Sequence, residues 1–420
     1  MGPSVRSRVG PLNTPYLKLM SITLSILAFW PDEVSGKKRI INRSSKKMLV
    51  FYFFVTVLCV LYIKNNVKIQ PFLEMGPNYI NTLLLVVCLS RLIIPCSASY
   101  KELTNTFFND IHLFHFKDQN EFAMKTYKEV EKYASFFCKI LHFEVTSGVF
   151  FYNLTPLYKS YRNGMFKDIK PANATYEQAV YYEMPFDYIN QFPGFLAVYL
   201  ANCFISFDVA FIAGIFDLYV YVIIFNLWGH LKILKNNLIT FPKPKTFVGT
   251  SYNTMPWYSE EESKEVRKLL IKSIEHYKSI KNFMNDMSGL FGPALCCYFS
   301  YFQICGCILL VESTQMTAEA IGTHGILTFT TFQQLIQISV IFELIGTQSD
   351  TIQDAIYEVP WECMDVKNKK IVLFYLLIAQ KPLSFKPLGM VSVGVQTMAS
   401  ILKTTISYFM LLRTTTSSHE

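Results

Sequence analysis

Seven stretches of this 420-residue chain are continuously apolar: 48–63, 76–95, 134–157, 193–227, 287–312, 325–346 and 388–412. Crossing a bilayer as a helix takes about 20 residues, so each is read as a membrane span. The first is short, and Lys47 and Lys64 at its ends can snorkel to the interfaces. The last has an ordered polar pattern. Thr397, Ser400, Thr404, Ser407, Leu411 and Thr415 follow one another at three- or four-residue steps and so share one helical face. The other side carries Val393, Met398, Ile401, Ile406, Tyr408 and Met410. Such a stripe either packs against other helices, its hydroxyls bonded back to the backbone, or lines water.

The same periodicity extends beyond the spans. Before the first, Leu17, Met20, Leu24 and Leu27 share a face opposite Lys18, Ser21 and Ser25, which reads as an interfacial or re-entrant helix between Tyr16 and Trp30. A signal peptide is the competing reading. It is weakened because no small-x-small cleavage site follows the apolar core. Ser259 with Glu260, Glu261 and Glu262 opens a helix whose apolar stripe (Val266, Leu269, Leu270, Ile274, Tyr277, Ile280, Met284) runs into the fifth span. The fourth span continues toward His230 and the sixth through Gln353 to Tyr357. These extensions carry apolar stripes, so they are expected to pack together in the cytoplasm.

Composition agrees with this. A chain that is 51% hydrophobic and only 17% charged is too apolar for an ordinary soluble protein. The net charge of +8 could suggest a nucleic-acid partner, but the basic residues mark topology instead. With the N-terminus inside, the segments 1–47, 98–132, 228–286 and 347–387 hold 29 of the 39 Lys and Arg, and the outer segments hold 7. The expected architecture is therefore an all-α membrane protein with seven transmembrane helices. Residues 1–47 form a cytoplasmic N-terminus, 48–227 spans one to four, 228–286 a cytoplasmic connector, 287–346 spans five and six, 347–387 a cytoplasmic segment, 388–412 the last span and 413–420 an extracellular tail. Asn173-Ala174-Thr175, a glycosylation acceptor, falls in an outer loop under this topology. Most of the ten cysteines lie inside apolar segments, which argues against a disulfide framework.

Catalytic chemistry is not expected. There is no phosphate-cradling glycine loop, no His-Glu-x-x-His and no paired-Cys zinc spacing, so neither enzyme nor cofactor is implied. His112 and His115 have the spacing of two ligands on one helix face but lack further donors at a suitable spacing, so no metal is assigned. Charge within the apolar segments is more informative, because it is costly there. Arg91 and Lys139 sit near span ends and read as interfacial anchors. Asp208 is mid-span and read as one half of a buried pair with a base; Glu144, Glu343 and Lys403 complete the set. The outer halves of spans two, three, four and six mix apolar surface with sparse polar groups, as a pocket for a small apolar molecule requires. Asn81, Ser147, Phe150, Phe151, Tyr199, Thr328 and Phe332 are the candidate ligand contacts.

Near the C-terminus the chain resembles a known family. Gly346-Thr347-Gln348-Ser349, Ala355-Ile356-Tyr357, Trp361, Ile401-Leu402-Lys403-Thr404 and Ser407-Tyr408-Phe409-Met410-Leu411-Leu412 are similar to the C-terminal signature of insect odorant receptors. Phe29-Trp30-Pro31 is similar to that family's N-terminal pattern. The resemblance implies an odorant-gated, non-selective cation channel in the plasma membrane of a sensory dendrite. It also implies a heterotetramer with a shared co-receptor and a small volatile ligand bound among the outer halves of the spans. The final helix would then line the pore, with Thr404 and Ser407 on the wall, Leu411 at the hydrophobic gate, and Thr414 and Thr415 at the outer mouth. Arg413 stands where the co-receptor is apolar, and the co-receptor's longer insert before span five is missing, so the likeness is to a ligand-tuned subunit. The alternatives are a seven-helix receptor coupled to G proteins, which needs the opposite orientation, and a gustatory-receptor-like channel, whose C-terminal pattern Ser407-Tyr408 and Leu411-Leu412 do not match.

Overall fold

The computed structural model describes residues 10–30, 44–167, 169–171, 174–245, 257–313, 326–387 and 393–417, and among these there is no strand. The helices are α1 (Pro15–Ile26), α2 (Ser45–Asn66), α3 (Phe72–Ile93), α4 (Ala98–Thr106), α5 (Glu121–Arg162), α6 (Phe192–Ile239), α7 (Glu260–Ser313), α8 (Ile326–Tyr357), α9 (Val366–Ala379) and α10 (Val395–Ser417). Their starts follow from local chemistry. The Asn120 side chain accepts from the Ala123 amide at 2.7 Å to open α5. Ser259 and Glu262 form a reciprocal capping box at α7: the Glu262 amide donates to Ser259 Oγ at 3.2 Å, and the Ser259 amide to Glu262 Oε2 at 2.8 Å.

Helices α6 and α7, at 48 and 54 residues, are more than twice the length a bilayer needs. As the stripes predict, the surplus extends into a second layer, called here the platform, with α4, α9 and the first turns of α5. Its joints are specific. Asn226 Oδ1 accepts from the Leu113 amide at 2.9 Å, Asn368 donates to the Ser263 carbonyl at 2.9 Å, and Lys232 pairs with Glu129 at 2.6 Å. Helix α1 lays Leu17, Met20, Leu24 and Leu27, all at most 1% exposed, against the bundle. Phe29 then meets Phe216 edge-on, and Trp30 meets Phe108.

Among the described residues, six helices are long and apolar enough to cross a membrane. The seventh predicted span, described from Val395 onward as α10, is more polar because Gln396, Lys403 and the side chains of Thr397, Ser400, Thr404, Thr405 and Ser407 dilute it. Residues 388–392, at its predicted start, lie outside the described residues. The bundle has a centre. The most apolar window of α6 is 83% buried, against 22% to 56% for the other five spans, so the rest of the bundle packs around this helix.

One charged group turns out differently from the sequence reading. Arg91 is not an interfacial anchor: it is fully buried where α3, α6 and α7 meet. Its guanidinium pairs with Asp217 at 2.8 Å, donates to the carbonyls of Ile212 and Ala213, and lies 4.2 Å from the ring centre of Tyr298. Neighbouring helices close the route to water that snorkelling needs, and the carboxylate on α6 makes burial tolerable. Asp208 accepts from the Tyr52 hydroxyl of α2 at 2.9 Å. Lys139 is exposed.

His112 and His115 do not share a helix face. They flank a tight 3-10 turn, where His112 Nδ1 accepts from the Phe114 amide and His115 Nε2 meets the Phe108 carbonyl. With Nδ1 occupied as an acceptor, the His112 ring proton sits on Nε2 and faces the Tyr16 hydroxyl at 3.1 Å. Burial, then the nearby His115 and His230, push its pKa down to about 3, so the ring is neutral.

The Arg91–Asp217 pair generates the first prediction. Replacing Asp217 by Ala leaves a buried guanidinium unpaired and should cost about 3–5 kcal/mol. Replacing both partners by apolar residues (Arg91→Met with Asp217→Leu) should cost less than either single change. Thermal melting of the detergent-solubilised protein, followed by size exclusion, ranks the variants; equal losses for single and double changes would show that the charge pair is not the constraint.

Candidate functional site

The segment 174–191, between α5 and α6, has no regular structure of its own and folds back onto four helices. Each anchor answers a backbone or side-chain group that would otherwise be buried without a partner. The Tyr182 hydroxyl donates to Asn202 Oδ1 on α6 at 2.8 Å, and Asn202 Nδ2 returns bonds to Gln178 Oε1 at 3.2 Å and the Val180 carbonyl at 3.1 Å. The Tyr181 amide donates to Asn78 on α3 at 3.1 Å, and the Glu183 amide reaches the Leu58 carbonyl of α2 at 3.3 Å. Tyr152 on α5 has its hydroxyl 3.1 Å from Asn81 Oδ1 and 3.2 Å from the Ala179 carbonyl. Tyr62 stacks on Tyr181 with ring centres 5.7 Å apart. Together these groups form a polar and aromatic layer over an apolar bundle.

Beside that layer, the Glu312 carboxylate at the end of α7 is 2% exposed and lies against Gly76 of α3. A Cβ at position 76 would fall 1.7 Å from Glu312 Oε1, so only glycine admits the carboxylate there.

The candidate ligand residues divide among different surroundings. Asn81 joins the layer through Tyr152. Tyr199 donates to the Asn153 carbonyl at 3.2 Å and stacks on Phe195, in a separate small cluster with Met165 and Tyr176. Phe332 packs from α8 toward Gly306 of α7, and Thr328 is half-buried one turn before it. Phe150 and Phe151, at 62% and 63% exposed, turn away from the bundle, and the half-buried Ser147 donates back to the Phe143 carbonyl at 2.8 Å. The structure therefore does not bring these seven residues into one chamber. Sequence reasoning passed over Tyr152, Gln178, Tyr182 and Asn202. The available signal was the density of Tyr, Asn and Gln in 174–202, but not which helices they would meet.

Helix α10 packs through one face. Thr405 and Ile401 are buried, with Thr405 against Gly306 of α7, and Met398 and Leu402 are half-buried. Ser400, Ser407 and Leu411 are exposed, Leu411 at 62%, and Thr404 lies at the margin. Of the residues opposite the stripe, Ile401 turns inward while Ile406, Tyr408 and Met410 are exposed. The Thr404 hydroxyl donates to the Ser400 carbonyl at 2.7 Å, and Ser407 donates to Lys403 at 2.9 Å. Thr414 and Thr415 continue the helix, with side chains outside the described set, and Asn173 lies outside the described residues.

A family model for the 7tm odorant receptors matches residues 74–406, from the start of α3 to within α10. The chain belongs to the insect odorant receptor family. Odorant receptor 67c of Drosophila melanogaster is 21% identical over 249 residues, 59% of this chain and 54% of that relative, so the match spans about half of the relative's length. Among solved structures, the insect olfactory receptor OR5 from Machilis hrabei superposes with a TM-score of 0.69 at 16% identity, covering 94% of this chain and 97% of that one. The same receptor in complex with eugenol superposes equally well, over 95% of this chain. At that identity the likeness establishes the fold. Family membership places this odorant receptor among receptors and not enzymes, in a multi-pass membrane setting.

The layer over the bundle can be tested directly. Asn202→Leu removes the partner of Tyr182, Gln178 and Val180 together and should free segment 174–191 by about 2–3 kcal/mol, whereas Tyr182→Phe removes one bond and should cost about 1 kcal/mol. Limited proteolysis reads this as faster cleavage within 174–191 for Asn202→Leu, with the helical content unchanged. Equal cleavage of wild type and variant would refute the anchoring role.

Proposed function

We propose that this odorant receptor is the ligand-tuned subunit of an odorant-gated, non-selective cation channel, assembling with a co-receptor as a heterotetramer. It would sit in the plasma membrane of a sensory dendrite with its N-terminus cytoplasmic and its C-terminus extracellular, as the distribution of Lys and Arg favours. The observation that carries the reading is the one-sided packing of α10. A membrane helix that buries Ile401 and Thr405 against its own bundle, and leaves Ser400, Ser407 and Leu411 uncovered, has a second face for partner subunits or water.

The chemistry of that face suits cations. The Thr404 and Ser407 hydroxyl protons are committed to backbone carbonyls, so the lone pairs of the oxygens are what a passing ion meets. Lys403 lies about 80° around the helix from the centre of the stripe, just beyond its edge. A volatile ligand in the outer half of the bundle opens the gate if it binds the open arrangement more tightly than the closed one. The eugenol complex of the Machilis hrabei receptor supports a small aromatic molecule as the ligand class. Asn81 and Tyr152, joined beneath segment 174–191, are the polar contacts best placed to orient such a ligand.

The test is odorant-evoked current in cells expressing the chain with and without a co-receptor, with surface delivery verified and both termini tagged. Current that requires the co-receptor, with only the C-terminal tag accessible on intact cells, is expected. An extracellular N-terminus would instead favour the G-protein-coupled alternative. Leu411→Ala should raise the resting conductance severalfold by widening a dewetting constriction. Unchanged leak together with unchanged odorant sensitivity would remove Leu411 as the gate.

A further inference from the structure

The lower end of α10 is held by a contact that the channel reading does not use. Glu343, in the middle of α8, places Oε2 3.0 Å from the backbone N–H of Val395, the first residue of α10. The first amides of a helix have no partners within it and carry partial positive charge, so a carboxylate there both accepts a bond and opposes the helix dipole. The approach is close. A Cβ on Gly394 would lie 2.2 Å from the same oxygen, so a side chain at 394 and the carboxylate cannot occupy the site together.

The neighbouring chain is pinned to α8 from the same side. The Leu383 amide donates to Ser349 Oγ at 2.8 Å, the Phe385 ring packs on Phe342 at 4.7 Å, and the Val393 amide donates to the Phe385 carbonyl at 2.8 Å. Between these contacts and α10, Glu343 is the group through which α8 grips the helix terminus. A cleft of about 190 Å³ adjoins it, lined by Glu343 itself with Trp228, Leu344, Thr347, Gln348 and Val395.

We infer that Glu343 and Gly394 form a latch by which α8 sets the position of the last helix, making Glu343 a positioning residue for gating. The inference rests on the reading of α10 as the gating helix, and it adds how that helix is coupled to the ligand-binding bundle. Helix α8 carries Thr328 and Phe332 near its other end, so a ligand-driven shift of α8 would reach α10 through its own terminus. The carboxylate bond and the steric requirement at position 394 are two halves of one contact, and either half can be removed alone.

Two readouts on the full-length chain test this. In the purified protein, amide exchange across Val395 to Met398 should accelerate about fivefold in Glu343→Ala, the size of change that losing one helix cap produces. Gly394→Ala should do the same with Glu343 intact, and the double variant should be no worse than either single change. Glu343→Gln, which keeps an acceptor oxygen, should restore part of the protection.

In recordings with the co-receptor, Glu343→Ala and Gly394→Ala should move the half-maximal odorant concentration by about fivefold, with unitary conductance unchanged, because Leu411 is four turns away. Unchanged exchange in both single variants, or additive effects in the double, would overturn the latch. Altered exchange with unmoved odorant sensitivity in a conducting receptor would overturn its part in gating. If the wild type itself passes no current while the exchange results hold, the channel reading fails and the latch stands.

Discussion

The fold depends on how one positive charge is accommodated deep among apolar helices. Arg91 is fully buried, and an isolated guanidinium at such a site would be too costly to keep. Its partners come from two other helices: the Asp217 carboxylate and the Ile212 and Ala213 carbonyls on α6, and the Tyr298 ring on α7. A mismatch in the relative height or rotation of α3, α6 and α7 would leave one of these groups unsatisfied. Lipid offers no hydrophobic drive to choose one helix packing over another, so directional contacts of this kind fix what apolar packing alone leaves free. The smaller tie between Tyr52 and Asp208 places α2 by the same logic.

From that fixed centre, the two layers of the molecule follow. From Asp208 to Leu227 helix α6 is apolar on nearly all sides because it is enclosed there, and its extension past the bilayer length stays largely buried as α7 and α5 extend with it. The platform is therefore continuous with the membrane bundle. A rotation of α6 or α7 at one end must appear at the other, because a single unbroken helix spans both. At the opposite end, segment 174–191 closes the bundle with side-chain bonds to α3, α5 and α6 and a backbone bond to α2.

Much of this was legible from residue spacing, and what was not has a common cause. The α1 stripe of Leu17, Met20, Leu24 and Leu27, the capping box at Ser259 and Glu262, and the overlong fourth and fifth spans are local patterns, set by neighbours within a few turns. Arg91 and Asp217 are 126 positions apart, and Tyr52 and Asp208 are 156 apart. Nothing in the spacing of either pair reveals the other partner. The ligand residues suffered the same limit in sharper form. Phe150 and Phe151 have the right chemistry for an odorant pocket, but they point outward because the face of α5 that meets α6 is the one carrying Asn153 and Pro156. Helical phase relative to distant neighbours decides this, and residue type does not.

The last helix shows how little separates a structural from a functional polar stripe. Back-bonded hydroxyls are what ordinary helix packing in lipid would produce, and Thr404 and Ser407 are back-bonded. What distinguishes α10 is that these residues do not lie on the packed face. A buried hydroxyl satisfied by its own backbone has no further role, whereas an uncovered one still presents an acceptor outward. The same helix is gripped at its start by Glu343 and left uncovered around Leu411. Between those points Ile401 and Thr405 hold it against α7, so the packed face and the uncovered face run side by side along one helix.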